Sequence, residues 1–175
     1  MEFDLLGWPP DEPTLRLDHR EFAYAGKFVM GATGKAVARE TDVLGAVAFN
    51  EDRTDATRLR LRYVTVRRDR RGEGVGPLLL RFTIERARER GYADIHIAAN
   101  NPFAYEASYR AGFVFTGEET GLAELVLAYR PDDDPSAYQR GLDRYRSRDL
   151  SAGEREFLDE YQGVDPPATV PDPEG

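Results

Sequence analysis

The stretch Tyr63-Val-Thr-Val-Arg-Arg-Asp-Arg-Arg-Gly-Glu-Gly-Val-Gly-Pro-Leu78 decides how this chain is read. It opens inside an alternating run. Leu59, Leu61, Tyr63 and Thr65 alternate with Arg60, Arg62, Val64 and Val66, the two-residue period of a strand. Residues 67–76 then form a basic, glycine-rich loop. Pro77 sits where a helix starts well, because its missing N–H would be unpaired there anyway. The helix is expected over Pro77–Arg90, with Leu80, Ile84 and Ala87 as its apolar stripe, Leu78 and Phe82 beside it, and Gly91 as its stop. A strand, a turn with Gly72, Gly74 and Gly76, and a helix N-terminus therefore follow one another. Main-chain amides in such a turn approach an anion closely, and the helix dipole favours negative charge there. Arg67, Arg68, Arg70 and Arg71 add guanidinium groups at the rim. Two familiar phosphate loops do not fit. A Walker A loop needs a Gly-Lys-Ser/Thr ending, and the third glycine of a dinucleotide fingerprint would fall on Pro77.

Charge sharpens the reading. The 175-residue chain carries a formal net charge of −8, yet residues 58–71 hold seven arginines and one aspartate. A basic island in an acidic chain reads as a local anion site. Nucleic-acid binding is disfavoured, because the surrounding field repels phosphate backbones. Of the 24 basic residues only Lys27 and Lys35 are lysines. This acidic, lysine-poor balance resembles proteins of salt-loving organisms, and a genome rich in arginine codons gives the same bias. There is no cysteine, so disulfides, thiolate metal sites and cysteine nucleophiles are excluded. Two histidines, His19 and His96, are too few for a typical catalytic zinc site, and no metal is expected. Apolar runs are too short for a membrane span or a signal segment. The expectation is a soluble, cytoplasmic protein with no membrane partner.

Working outward, prolines cluster at both ends, which places the compact part at about residues 14–130. Leu15 and Leu17 show a short strand pattern, and residues 20–32 have weak helical spacing broken by Gly26 and Gly31. Lys35–Arg39 and Val43–Phe49 read as a hairpin. Strands are expected at Asp94–Ala99, Phe113–Thr116 and Leu122–Tyr129, the last two separated by a turn at 117–121. A short helix is expected at Phe103–Arg110, ended by Gly112. Trp8 is expected to anchor the N-terminal segment on the core. Asp132–Asp134 reads as a solvated charge run. Beyond it, Ser136–Arg146 reads as helical, and Ser151 with Glu154 forms a capping-box signature for another helix. The organisation expected is a domain at 1–130, a helical C-terminal extension at 131–162 and a disordered tail at 163–175.

Val66, Asp69, Arg70, Arg71-Gly-Glu-Gly-Val-Gly76 and Leu78–Leu79 resemble the acetyl-CoA-binding motif of the GNAT N-acetyltransferases, whose Arg/Gln-x-x-Gly-x-Gly/Ala core is matched by Arg71, Gly74 and Gly76. Downstream, Asn101-Pro-Phe-Ala104 and Gly112-Phe113 resemble the second motif of that family. The resemblance covers about residues 40–130. It implies an α/β fold with a mixed, strongly bent and splayed central sheet flanked by helices. It also implies acetyl-CoA as acyl donor, held by Val64, Val66, Arg71, Gly72, Gly74, Val75, Gly76 and Asn101. The reaction implied is direct attack of an amine on the thioester in a ternary complex, with a main-chain N–H near Val66 facing the developing oxyanion.

One departure concerns the acid that protonates the leaving thiolate. The family usually carries tyrosine seven residues after the motif asparagine. Counting from Asn101 reaches Ser108, with Tyr109 one residue later, and one residue turns a helical side chain by about 100°. Ser108 by position, Tyr109 through a helix distortion, or no side-chain acid remain as three readings. Arg68 replaces a usual proline. Glu118 and Glu119 are the residues marked for attracting a cationic amine. His96 is a weaker candidate for a proton-transfer role. The acceptor is a small amine or a protein amino group, and a homodimer stays open. The alternative to an enzyme is a non-catalytic acyl-CoA-binding or regulatory module on the same fold.

Overall fold

Four antiparallel strands run in chain order at the start of the protein, seen in a computed structural model that describes residues 1–130 and 134–173. They are β1 (Glu2–Gly7), β2 (Gly34–Arg39), β3 (Val43–Glu51) and β4 (Arg58–Val66). β2 and β3 are buried on both faces, which fits the apolar runs Ala36–Ala38 and Val43–Phe49. The pairing of β3 with β4 slips between Ala48 and Phe49, because Tyr63 opposes Ala48 while Leu61 opposes Phe49. Arg62 is the extra residue of that bulge, and bulges re-aim the side chains that follow.

The two faces of this meander are covered differently. On one, α1 (Val75–Glu89) lies so close to β3 that a Cβ at Gly45 would come within 3.3 Å of Val75 and 3.4 Å of Leu79. On the other, residues 12–33 fold back as an irregular excursion. Phe28 is buried there with Val37, Ala46 and Ala48, and Leu15, Leu17 and Tyr63 pack against them. Leu15 and Leu17 thus keep the alternating burial their spacing predicts, but they pair with no strand: the Leu15 amide donates to the Phe28 carbonyl. The helical reading of residues 20–32 reduces to a single 3-10 turn at Ala25–Phe28. Trp8 does anchor the N-terminal segment. Its ring meets Phe49 at 5.1 Å, and the Arg90 guanidinium lies 4.4 Å above it.

The remaining elements are β5 (Asp94–Ala99), α2 (Pro102–Ala111), β6 (Phe113–Glu119), β7 (Leu125–Tyr129), α3 (Ser136–Arg146) and α4 (Ala152–Glu160). All seven strands belong to one open, mixed sheet in the order β1-β2-β3-β4-β5-β7-β6. Chain contacts divide the protein into two units: Met1–Ile95 with the terminal segment from Pro171, and His96–Val170. In the second unit β7 pairs antiparallel with both β5 and β6. β6 runs on to Glu119, so the turn sits later than 117–121, and Glu118 and Glu119 lie in a strand.

α2 begins as its sequence dictates. The Asn101 side chain accepts from the Ala104 amide at 2.9 Å, Pro102 follows, and Gly112 closes the helix at φ +105°. α3 sits on aromatic rings: Tyr105, Tyr138 and Tyr145 are all fully buried. At α4 the expected capping box forms, with Ser151 and Glu154 exchanging both hydrogen bonds. Asp134 accepts from the Ser136 amide and hydroxyl at the start of α3. The rest of the charge run at 131–133 lies outside the described residues, as do the last two residues of the tail. Within the tail, the Val164 carbonyl accepts from Gln139 and the Val170 amide donates to the Arg110 carbonyl.

Candidate functional site

The strand–loop–helix that opened the sequence reading is one continuous feature of the first unit. β4 ends at Val66, whose partner is Gly45 on β3. The Arg67 amide still follows the sheet, donating to the Leu44 carbonyl at 2.8 Å, so it is spent and not available to an oxyanion. Arg68–Arg70 make a 3-10 turn, and two glycines at positive φ, Gly72 (+80°) and Gly74 (+84°), swing the chain into α1. Its N-cap residue is Gly74, and no side chain among the described residues caps α1. Its first amides therefore have no partner of their own. Leaving out a cap costs about 1 kcal/mol. Burial of Val75, Leu79, Phe82 and Ile84 at about 1.5–3 kcal/mol each far outweighs that.

Space matches the donors. A Cβ at Gly72 or Gly74 would meet nothing within 4 Å, and one at Gly76 would meet only the Val66 side chain at 3.6 Å. The helix start is open, unblocked and lined by main-chain N–H groups, as a polyphosphate requires. The residues present fit the pyrophosphate of an acyl-CoA.

The four rim arginines are not equivalent. Arg67 is clamped to Asp69 at 2.6 Å. Arg70 grips both Glu40 and Glu73, each at 3.1 Å, and these carboxylates hold its guanidinium well above the ordinary arginine value. Arg68 and Arg71 meet no carboxylate among the described residues. Arg71 makes one long bond to the Val66 carbonyl at 3.4 Å, and Arg68 donates to the Arg20 carbonyl at 3.2 Å. Of the four cations in the sequence two are already neutralised, one of them by Glu40, thirty residues upstream. Arg71→Ala should therefore weaken acetyl-CoA binding by about tenfold or more, the loss of a charge-assisted hydrogen bond of about 1.5–3 kcal/mol. Glu73→Gln, which relaxes the hold on Arg70, should tighten binding by about threefold, since an exposed pair is worth under about 1 kcal/mol. Isothermal titration with acetyl-CoA checks both.

The second unit holds the other marked residues, and the polar atoms of Asn101, Ser108 and Tyr109 are engaged. The Asn101 carboxamide caps α2 and donates to Asn100. Ser108 is 1% exposed, and its hydroxyl donates to the Ala104 carbonyl one turn back at 2.8 Å. The Tyr109 hydroxyl accepts from the Phe115 amide at 3.0 Å, while its ring packs 4.8 Å from Tyr138 and 5.0 Å from Tyr105. Tyr105 in turn donates to the Tyr138 carbonyl at 2.9 Å, and burial pushes its phenol far above the usual tyrosine range. Glu119 pairs with Arg144 at 2.8 Å and lies 3.8 Å from Arg148, whereas Glu118 is exposed. His96 is buried on β5. Among the described residues no group of three or more His, Asp or Glu is placed to hold a metal, and no helix is long and apolar enough to cross a membrane.

No curated protein matches the chain. Among solved structures, a nourseothricin acetyltransferase is 30% identical over 55% of this chain and 62% of its own, with a TM-score of 0.45. An N-acetyltransferase from Staphylococcus aureus Mu50 is 23% identical over 55% of this chain and 64% of its own, with a TM-score of 0.47. The protein yncA from Salmonella typhimurium, solved with its cofactor acetyl-CoA, is 18% identical over 60% of this chain and 68% of its own, with a TM-score of 0.50. The chain thus spans less than two-thirds of the first two. Residues 2–113 match the acetyltransferase (GNAT) family, and with an uncapped, glycine-opened α1 behind β4 this chain belongs to that family.

Proposed function

We propose that this protein is an N-acetyltransferase that moves an acetyl group from acetyl-CoA to an amine. The observation that carries the reading is the bare N-terminus of α1, left without a side-chain cap and opened by Gly72, Gly74 and Gly76. Those amides, with the Arg68 and Arg71 guanidinium groups, hold the pyrophosphate. The pantetheine lies along β4, and the acetyl group reaches toward Val64–Val66. A neutral amine attacks the thioester carbonyl carbon, a C–N bond forms, and the C–S bond breaks to release CoA as thiolate. The amine proton passes to a base or to water.

The thiolate leaves without help from Ser108. That hydroxyl has one proton and spends it on Ala104 inside α2. Ser108→Ala should change kcat by less than about threefold, where losing a working acid costs about 10²-fold or more. Single-turnover thiol release measures this, and a drop of two orders of magnitude would restore Ser108 as the acid. The parent proposal is tested by CoA release across a panel of small amines and peptide N-termini. Tight acetyl-CoA binding with no turnover on any amine would favour a non-catalytic acyl-CoA-binding module, a reading to which the engaged Ser108 hydroxyl lends support.

A further inference from the structure

Lys35 is an anomaly in this chain. It is one of two lysines, it is the second residue of β2, opposite Ala48, and it is completely buried. A buried ammonium normally finds a carboxylate, because desolvating an unpaired charge costs several kcal/mol. Lys35 has none. Its Nζ donates instead to four oxygens: the carbonyls of Pro13 (2.5 Å), Met30 (2.7 Å) and Thr33 (2.9 Å) and the Thr33 hydroxyl (3.0 Å). All four are acceptors. A neutral amine has only two N–H donors for them, so the cage calls for the three donors of the charged form. Burial works against that charge, lowering the amine below the ordinary lysine value.

The position of the oxygens gives this arrangement its consequence. Pro13 stands near the entry of the 12–33 excursion, and Met30 and Thr33 stand at its exit. One ammonium therefore fastens both ends of a loop about twenty residues long. The middle of that loop reaches the site. The Arg68 amide donates to the Glu21 carbonyl at 2.9 Å and the Arg68 guanidinium to the Arg20 carbonyl at 3.2 Å. Tyr24 lies 5.7 Å from Tyr63 of β4, and Lys27 stands 5.6 Å above the same ring. Arg68 is the first residue of the turn that leads into Gly72–Gly76. The loop is thus the outer support of the phosphate turn, and Lys35 is what keeps the loop closed.

We propose that Lys35 is a positioning residue for acyl-CoA binding: its buried ammonium staples residues 13 and 30–33 together, and the closed loop holds the Arg68 corner of the phosphate turn in place. This rests on the acetyl-CoA site proposed above. The two fail differently: wild-type protein that does not bind acetyl-CoA sinks the site, whereas wild-type binding that Lys35 variants share unchanged sinks only the staple.

Lys35→Met keeps length and apolar volume and removes every donor. It should raise the acetyl-CoA Kd about tenfold or more, because binding must then order a turn that is no longer pre-set. Trypsin should also cut faster at Arg16 and Arg20. The absence of cysteine permits a rescue. Lys35→Cys, alkylated in denaturant with 2-bromoethylamine and refolded, rebuilds an ammonium of lysine length, whereas 1-bromopropane installs a chain of the same length without charge. The aminoethyl form should regain wild-type Kd and protease resistance, and the propyl form should not. Equal Kd values for the two alkylated forms, or a Lys35→Met Kd within about twofold of wild type, overturn the proposal. Should these forms not fold, Thr33→Val decides. It removes one acceptor and keeps the ammonium, and it should raise Kd about threefold with faster cleavage, while an unchanged Kd rejects the staple.

Discussion

Gly74→Asp should abolish acetyl-CoA binding, by at least about 100-fold, while leaving the fold intact. The expectation follows from where Gly74 stands. It precedes the first residue of α1, and an added Cβ would meet nothing within 4 Å, so the side chain has room. Its φ of +84° makes any L-residue strained, at about 1–2 kcal/mol, but asparagine and aspartate tolerate that region best. What aspartate adds is a carboxylate on the amides the pyrophosphate needs. Two like charges about 4 Å apart near a protein surface repel by about 4 kcal/mol, more than the 2.7 kcal/mol of a 100-fold loss. Gly74→Asn is the control, with the same backbone strain and the same reach but no charge. It should lose no more than about tenfold. Calorimetric titration of both variants, beside their melting curves, separates charge from strain. An aspartate variant that still binds acetyl-CoA like wild type would remove the pyrophosphate from this loop.

Gly141→Ala should cause the largest loss of stability. Gly141 faces Tyr105 across the α3–α2 contact, and a methyl group there would lie 2.0 Å from the phenolic oxygen, 2.4 Å from Cζ and 2.6 Å from Cε2. The ring has nowhere to go. It is fully buried among Tyr109, Tyr138, Tyr145 and Phe115, and its hydroxyl is tied to the Tyr138 carbonyl. Overpacking of this kind costs about 3 kcal/mol or more. In a chain this long that corresponds to about 6–12 °C in Tm. Gly153→Ala in α4 is the contrast, because a Cβ there touches nothing. It should gain about 0.4–1 kcal/mol from lowered chain entropy and better helix propensity. Scanning calorimetry of the pair checks both signs, and a Gly141→Ala midpoint within about 2 °C of wild type would show that the ring shifts freely.

Much of the architecture was legible because its signals are local. The alternation of Leu59–Val66, the Gly91 stop of α1, the Gly112 stop of α2 and the Ser151–Glu154 box each act over a few residues, and each forms where expected, whereas α1 and α2 start earlier than their prolines and aromatics suggest, at Val75 and Pro102. β1 was hidden because its alternation is only Phe3 and Leu5 in an acidic segment running into prolines. Leu15 and Leu17 misled for the opposite reason: their burial alternates, but a strand also needs a partner, and period alone does not supply one. At the site, glycines and arginines could be read directly because their positions suffice. Which arginines are free could not, because Glu40 is distant in sequence from Arg70. Lys35 did leave a trace, a single lysine inside the apolar strand Lys35–Arg39, but the oxygens around it come from a loop whose path no periodicity reveals.

The order of strands bears on how the chain assembles as it is made. β2, β3 and β4 are joined by short connections at residues 40–42 and 52–57, so their closure entropies are small, and β1 lies beside β2, so the meander can zip up as soon as residue 66 has emerged. The second unit has no such privilege. β7, the last strand synthesised, is the one that lies between β5 and β6. Until Tyr129 leaves the ribosome, β6 has only bare edges to offer. That interval, rather than any step in the meander, is when a nascent chain is most exposed to misassembly and to chaperones.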